Sequence, residues 1–170
     1  MPDTESNTGY SFEQQVIWIT GASSGIGEAL ASALSLRGAK VVLSARRAAE
    51  LERVRDACIA VGASAGNLLV LPLDAVDYDA HPAALKTVLR TFGRVDMLIN
   101  NAGTLGEVGY VGEISESDIA RTFSLNLTAA AMLTNRFLKK YGQKDCPKVV
   151  LNISSGAGRR PIDGWSSYCA

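Results

Sequence analysis

The densest chemical pattern in the sequence is Thr20-Gly21-Ala22-Ser23-Ser24-Gly25-Ile26-Gly27. Glycines spaced G-x-x-x-G-x-G let a chain turn sharply. They also let a pyrophosphate approach the backbone, where the first N–H groups of a following helix form a positive pole. The spacing is not the G-x-G-x-x-G of the commoner dinucleotide fingerprint, and a tight turn that binds nothing could use the same residues. About twenty residues on, an NAD-binding domain usually presents an acid to the ribose 2′-hydroxyl. Here the sequence reads Ala45-Arg46-Arg47. An acid would repel a 2′-phosphate, whereas a guanidinium binds one through paired hydrogen bonds. A solvated basic loop has the same composition, but the position favours NADP(H) over NAD(H) as cofactor.

These residues need a frame that gathers several loops at one rim. Val16 to Thr20 reads as a short, fully apolar strand. Gly25 to Arg37 places Ile26, Leu30, Ala33, Leu34 and Arg37 near helical spacing, with Gly38 where a glycine stop belongs. Lys40 to Ala45 is a second strand, and Leu51, Val54, Cys58 and Val61 form the stripe of a second helix ended by Gly62. Leu68 to Leu73 is a third strand. Pro82 opens a third helix with Leu85, Val88, Leu89 and Phe92 on its buried face. After a fourth strand, Asp96 to Asn100, one long helix runs from Ser115 to Tyr141. Ser115 and Asp118 there have capping-box spacing, and Ile114 and Ile119 can form a staple. Lys148 to Ile153 is the last strand. Apolar strands alternating with amphipathic helices predict right-handed βαβ units and a doubly wound, Rossmann-like parallel α/β sheet ending after the fifth strand. The expected organisation is a polar, disordered tail over residues 1–15 and one dinucleotide-binding domain over 16–170.

Other chemistries are disfavoured. Cys58, Cys146 and Cys169 are odd in number and lack C-x-x-C spacing, which reads as free thiols in a reducing compartment with no metal site. His81 is the sole histidine and reads as an exposed capping residue, not a catalytic one. Lys plus Arg equals Asp plus Glu at 17 each, so no global field draws the chain to nucleic acid or an anionic membrane. The first fifteen residues lack the basic start and apolar run of a targeting segment, and no apolar run approaches a membrane span. A cytoplasmic location is the expectation.

The glycine-rich turn, then Asn100-Asn101-Ala102-Gly103 after the fourth strand, then Asn152-Ile153-Ser154-Ser155 after the fifth, resembles the short-chain dehydrogenase/reductase family from Val16 to the last residue. The resemblance implies a cofactor site made of Gly21, Ser23, Ser24, Gly25, Ile26, Gly27, Arg46, Arg47, Asn101, Ala102 and Gly103, with Asp74 holding the adenine amino group. It also implies a catalytic group of Tyr168, Ser155 and Asn126, in which Ser155 and Tyr168 have the family's thirteen-residue separation. Tyr168 would protonate a carbonyl oxygen as hydride reaches the carbon, and Ser155 would hydrogen-bond that oxygen. Plainer roles exist for each: a satisfied helical asparagine, turn-forming serines, a half-buried aromatic. The family's lysine stands four residues after the tyrosine and would lower the tyrosine pKa from about 10. The sequence given ends at Ala170, two positions before it. The stretch as written is therefore expected to be a poor enzyme, and a homodimer is implied for a complete chain rather than for this one.

Within the family, Asn101 to Val108, the Ser-Leu-Asn-Leu-Thr run ending at Thr128 and Gly164-Trp165-Ser166-Ser167-Tyr168-Cys169 are similar to the sepiapterin reductase branch and its dicarbonyl (benzil) reducing relatives. Trp165 could stack on a planar pterin or aryl ketone, or simply pack. The resemblance thus implies an NADPH-dependent reductase of a small-molecule carbonyl. The alternative is a non-catalytic nucleotide-binding or interaction protein, or an inactive fragment, lacking the family lysine.

Overall fold

The strands are apolar on both faces, so both faces need cover. The computed structural model describes residues 11–141 and 148–170. In chain order the main elements are β1 (Val16–Thr20), α1 (Gly25–Ser35), β2 (Lys40–Ser44), α2 (Ala48–Ala60), β3 (Leu68–Val70) and α3 (His81–Phe92). They continue with β4 (Met97–Asn100), α4 (Glu116–Phe123), a π-helical segment (Ser124–Ala129), α5 (Ala130–Tyr141), β5 (Val149–Asn152) and the short α6 (Ser166–Cys169). The sheet is wholly parallel, in the order β3-β2-β1-β4-β5.

Alternation along each strand splits the core in two. Ile17 and Ile19 of β1, with Val41 and Leu43 of β2, meet Leu34 of α1 and Leu51 and Val54 of α2. Val16, Trp18 and Val42 face the other way, onto Leu85 and Val88 of α3 and Leu133 and Phe137 of α5. Each such side chain contributes roughly 1.5–3 kcal/mol by leaving water. Trp18 is fully buried, and its Nε1 donates to Ser44 Oγ at 2.8 Å, so its one polar atom is satisfied. The chain crosses to β2 and β3 on one side of β1 and to β4 and β5 on the other. A topological switch point therefore lies at the carboxyl ends of β1 and β4, where such sheets bind ligands.

Several expected boundaries move for local reasons. β3 stops at Val70, although Leu71 and Leu73 still donate to Leu43 and Ala45 of the neighbouring strand at 2.9 and 3.0 Å. Pro72 between them turns its ring nitrogen to the open side of this edge strand, where no ladder bond is lost by lacking an N–H. Val61 lies past the end of α2 and is 59% exposed, so it leaves the expected stripe. The body also begins before Val16: Phe12 packs on the core, and the Gln14 N–H donates to the Gly38 carbonyl at 2.9 Å. Cys58 is buried and Cys169 half-buried, both as free thiols, while Cys146 lies outside the described residues. Among the described residues no helix is long and apolar enough to cross a membrane.

His81 corrects the sequence expectation outright. It is fully buried, not exposed, because the loop before α3 folds over it. Nε2 lies 2.9 Å from the Ala75 carbonyl, which makes Nε2 the protonated nitrogen, while Nδ1 is buried without a partner. Burial, opposed by the Ala75 bond and aided by Arg136, pushes its pKa below the ordinary 6.5.

At the opposite rim, Asp96 ties three strand starts together. It accepts the Val16 N–H at 2.9 Å, Lys148 Nζ at 3.0 Å and Arg94 Nε at 2.8 Å. Burial alone would raise its carboxyl pKa, but the Val16 N–H and Lys148, then Arg94, outweigh it and hold the group below the ordinary 3.8.

Both groups are depressed on folding, so each contributes stability that is complete above its unfolded pKa and is lost as pH falls towards its folded value. The urea midpoint should fall in two stages on acidification, the first beginning below the ordinary histidine pKa and the second below the ordinary carboxylate pKa. A His81→Gln protein should lack the first stage. Parallel curves for the two proteins over that range would clear His81 of the effect.

Candidate active site

Thr20 closes β1 and joins it to the end of β4. Its Oγ1 donates to the Ile99 carbonyl at 3.3 Å and accepts the N–H groups of Asn101 and Ala102 at 3.0 and 3.1 Å. Asn101 answers from the other side, its Nδ2 donating to the Thr20 and Gly21 carbonyls at 3.0 and 3.1 Å. The glycine-rich turn and the Asn101-Ala102-Gly103 loop are thereby locked over the switch point. A Cβ on Gly21, where φ is +66°, would lie 2.8 Å from Ala102 Cα. A Cβ on Gly27 would run into the Gly21 carbonyl oxygen and lie 2.6 Å from Asn101 Nδ2. Backbone meets backbone here, which is why these positions exclude a side chain.

A groove of about 800 Å³ crosses this junction. Gly21, Ser23, Ser24 and Ile26 line it from the turn, Arg46 and Arg47 from the end of β2, Asp74 from the loop after β3, and Asn101, Ala102 and Gly103 from the loop after β4. Gly25 and Gly27 shape the turn without lining the groove.

The arginines around it differ in their partners. Arg53 pairs with Glu28 at 2.8 Å and Glu50 at 2.9 Å, and it also donates to the Ser23 carbonyl at 3.2 Å. Arg121 lines the groove but pairs with Asp118 at 2.6 Å. The Glu107 N–H, then Arg121, hold the Asp118 carboxyl below its usual range. The guanidinium groups of Arg46 and Arg47 are exposed and have no ion pair or hydrogen bond among the described residues. The groove thus offers two cations without partners among the described residues at one end and a bare glycine turn at the other, a lining that fits an anionic, phosphate-bearing ligand.

Beside the groove lies a cavity of about 420 Å³, and the two share Ile26 and residues 101–104 as walls. Ser155, Tyr168 and Asn126 all line it. Ser155 Oγ accepts the Ala157 N–H at 3.2 Å, which leaves the hydroxyl proton free to be donated elsewhere. Tyr168 sits half-buried on α6.

Asn126 is in the π segment, which breaks the expected single helix into α4, π segment and α5. Both ends of its side-chain amide bond one residue: Nδ2 donates to the Thr104 carbonyl and Oδ1 accepts the Thr104 N–H, both at 2.8 Å. π segments inside helices concentrate at functional sites. Trp165 does not line the cavity. Its ring meets Tyr168 edge to face at 5.9 Å, so it packs on the tyrosine instead of offering a stacking platform.

The start of α4 is capped differently from the expected reciprocal box. Ser115 Oγ accepts the Asp118 N–H at 3.2 Å, but the Ser115 N–H donates to Glu107 at 3.0 Å. Asp118 instead accepts the Glu107 N–H at 2.5 Å, pinning the loop that follows Thr104. Sequence reasoning missed Thr104, whose backbone does the work and leaves no side-chain signal. It also missed Arg53 and Arg121: Arg53 pairs with Glu28 from 25 residues away as well as with nearby Glu50, and Arg121 pairs with Asp118 three residues before it. Among the described residues no group of three or more His, Cys, Asp or Glu could hold a metal ion.

The pattern of the short chain dehydrogenase family matches residues 15–170, and this chain belongs to that family of oxidoreductases, which use a nicotinamide cofactor and small-molecule substrates. It is 41% identical over 162 residues to dehydrogenase/reductase SDR family member 7 of Mus musculus, covering 95% of this chain and 47% of that protein. It is 30% identical over 156 residues to benzil reductase ((S)-benzoin forming) of Bacillus subtilis (strain 168), covering 89% and 59%. Among solved structures, 3-ketoacyl-(acyl-carrier-protein) reductase from Brucella melitensis, complexed with NADH, matches with a TM-score of 0.83 and 32% identity, over 94% of this chain and 64% of that one. The chain spans about half the length of the curated relatives it matches.

Gly27→Ala tests the junction. The added methyl must push the turn off Asn101, and the protein should lose about 1–3 kcal/mol in denaturant unfolding, as overpacked sites do. An unchanged midpoint would mean that the turn and the loop are not in contact.

Proposed function

We propose that this chain serves an NADPH-dependent reductase of small-molecule carbonyls, with dicarbonyls or pterin-like ketones as the substrate class. The observation that carries the reading is the continuity between the groove with its two unpaired arginines and the cavity lined by Ser155 and Tyr168. Arg46 and Arg47 would take the 2′-phosphate, the Gly21–Gly27 turn the pyrophosphate, and Asp74 the adenine amino group. The bound dinucleotide supplies the hydride that reduces the carbonyl carbon. Tyr168 donates its phenolic proton to the carbonyl oxygen. Ser155, whose Oγ is already oriented by the Ala157 N–H, donates its own proton as a hydrogen bond to the same oxygen while negative charge develops there. Asn126 acts by holding Thr104, a wall of both groove and cavity.

The name of the Bacillus relative, benzil reductase, supports a dicarbonyl substrate. The free thiols of Cys58 and Cys169 suit a reducing, cytoplasmic setting. A homodimer of the complete protein would draw on the exposed apolar side chains of Phe123, Leu127 and Met132 along α4, the π segment and α5.

Two substitutions in the full-length protein test this. Arg46→Ala should weaken NADPH roughly 10–100-fold, the size of a lost charge-assisted hydrogen bond or two, and leave NADH nearly untouched. Equal losses for both cofactors would refute the 2′-phosphate role. Tyr168→Phe should cut diketone reduction by about 100-fold or more with cofactor affinity retained. Undiminished turnover would remove Tyr168 as the proton donor.

A further inference from the structure

We infer that Tyr78 is a positioning residue whose hydroxyl fixes the π segment that aims Asn126, and so connects the adenine side of the groove to the cavity. The inference rests on the proposed reductase function only for its kinetic consequence. Tyr78 lies four residues after Asp74, in the loop between β3 and α3. That loop lines the groove through Asp74, Ala75 and Val76. The Tyr78 hydroxyl leaves the loop and donates to the Ser124 carbonyl at 3.2 Å. Ser124 is the first residue of the π segment.

A change from i→i+4 to i→i+5 pairing disturbs the regular partnering of carbonyls at the point where it begins. An outside donor at that point favours the π register over the α register. The difference matters downstream, because one residue of register turns a side chain by about 100° around the helix. Two residues after Ser124, Asn126 depends on its direction to make both bonds to Thr104.

The phenol is itself braced. Arg136 Nη2 donates to the Tyr78 carbonyl at 3.2 Å, and the ring meets His81 edge to face at 5.8 Å. Three elements therefore hold one hydroxyl against one carbonyl: the groove loop, the buried start of α3 and α5. A tyrosine used only for packing would need none of its oxygen. The chain of contacts runs from the groove loop through Tyr78, Ser124 and Asn126 to Thr104.

The test compares Tyr78→Phe with Tyr78→Leu in the full-length protein. Three readouts are followed: the NMR signals of the Asn126 side-chain amide and the Thr104 N–H with its exchange rate, NADPH affinity, and turnover of a diketone. Both variants should shift the Asn126 and Thr104 signals alike. Exchange at Thr104 should quicken about five- to tenfold, the scale of one neutral hydrogen bond. kcat should fall by a similar factor while the NADPH Kd stays within about twofold. A silent Phe variant beside a disturbed Leu variant would overturn the inference, since only packing would then be at stake. Absence of NADPH binding by the unaltered protein would sink the reductase reading, while the Asn126 and Thr104 signals would still decide the role of Tyr78.

Discussion

Two loops, one leaving β1 and one leaving β4, must come within backbone contact of each other, and Thr20 and Asn101 hold them there. The hydroxyl of Thr20 takes two N–H groups of the second loop, and the amide of Asn101 takes two carbonyls of the first. Each side satisfies polar groups that the other would leave orphaned in a largely buried place, where an unmade bond costs about 1–3 kcal/mol. Once that junction is closed, glycine at positions 21 and 27 follows from space alone. The groove lies across the junction, and the shared wall at residues 101–104 sets where the cavity can be. Even Asn126 serves it at one remove, by holding Thr104 at the far end of the same loop.

Charge is arranged around this junction by pairing as much as by placement. Arg53 and Arg121 both stand near the groove, yet Arg53 is held by two carboxylates and Arg121 by one. What remains for an anionic ligand is the pair at the end of β2. A count of basic residues near the groove would have overstated its field, and the ion pairs correct that count. Those pairs are largely solvent-exposed and contribute little to stability. Their effect is to keep competing cations engaged and, through the Ser23 carbonyl, to brace the turn from outside.

Much of the frame was legible because its signals are local. VIWIT and KVVLS are buried on both faces, and only a parallel sheet covered twice accommodates that. The glycine turn was legible for the same reason, since its spacing is dictated by contacts within one βα unit. His81 and the long helix were not. Nothing in the neighbourhood of His81 announces that the Ala75 carbonyl will fold back over its ring. Nor does Ser-Leu-Asn-Leu-Thr announce a change of helical register, because the stabilising contact comes from Tyr78, 46 residues away. Trp165 shows the same limit. Its position beside Tyr168 was visible, but the direction of its ring depends on how the backbone at residues 109 and 165 pairs. Groups whose roles rest on long-range partners are hidden from spacing arguments, and groups whose roles rest on turn geometry are not.

The two tryptophans occupy opposite situations, and this gives the protein a built-in optical contrast. Trp18 is sealed between sheet and helices with its indole N–H bonded to Ser44, so its emission reports only whether the core is intact. Trp165 is half-buried and rests on the ring of Tyr168, which lines the cavity. Its emission responds to whatever displaces or polarises that tyrosine. Blue-shifted light from the first and variable light from the second separate global unfolding from events at the cavity without any added label.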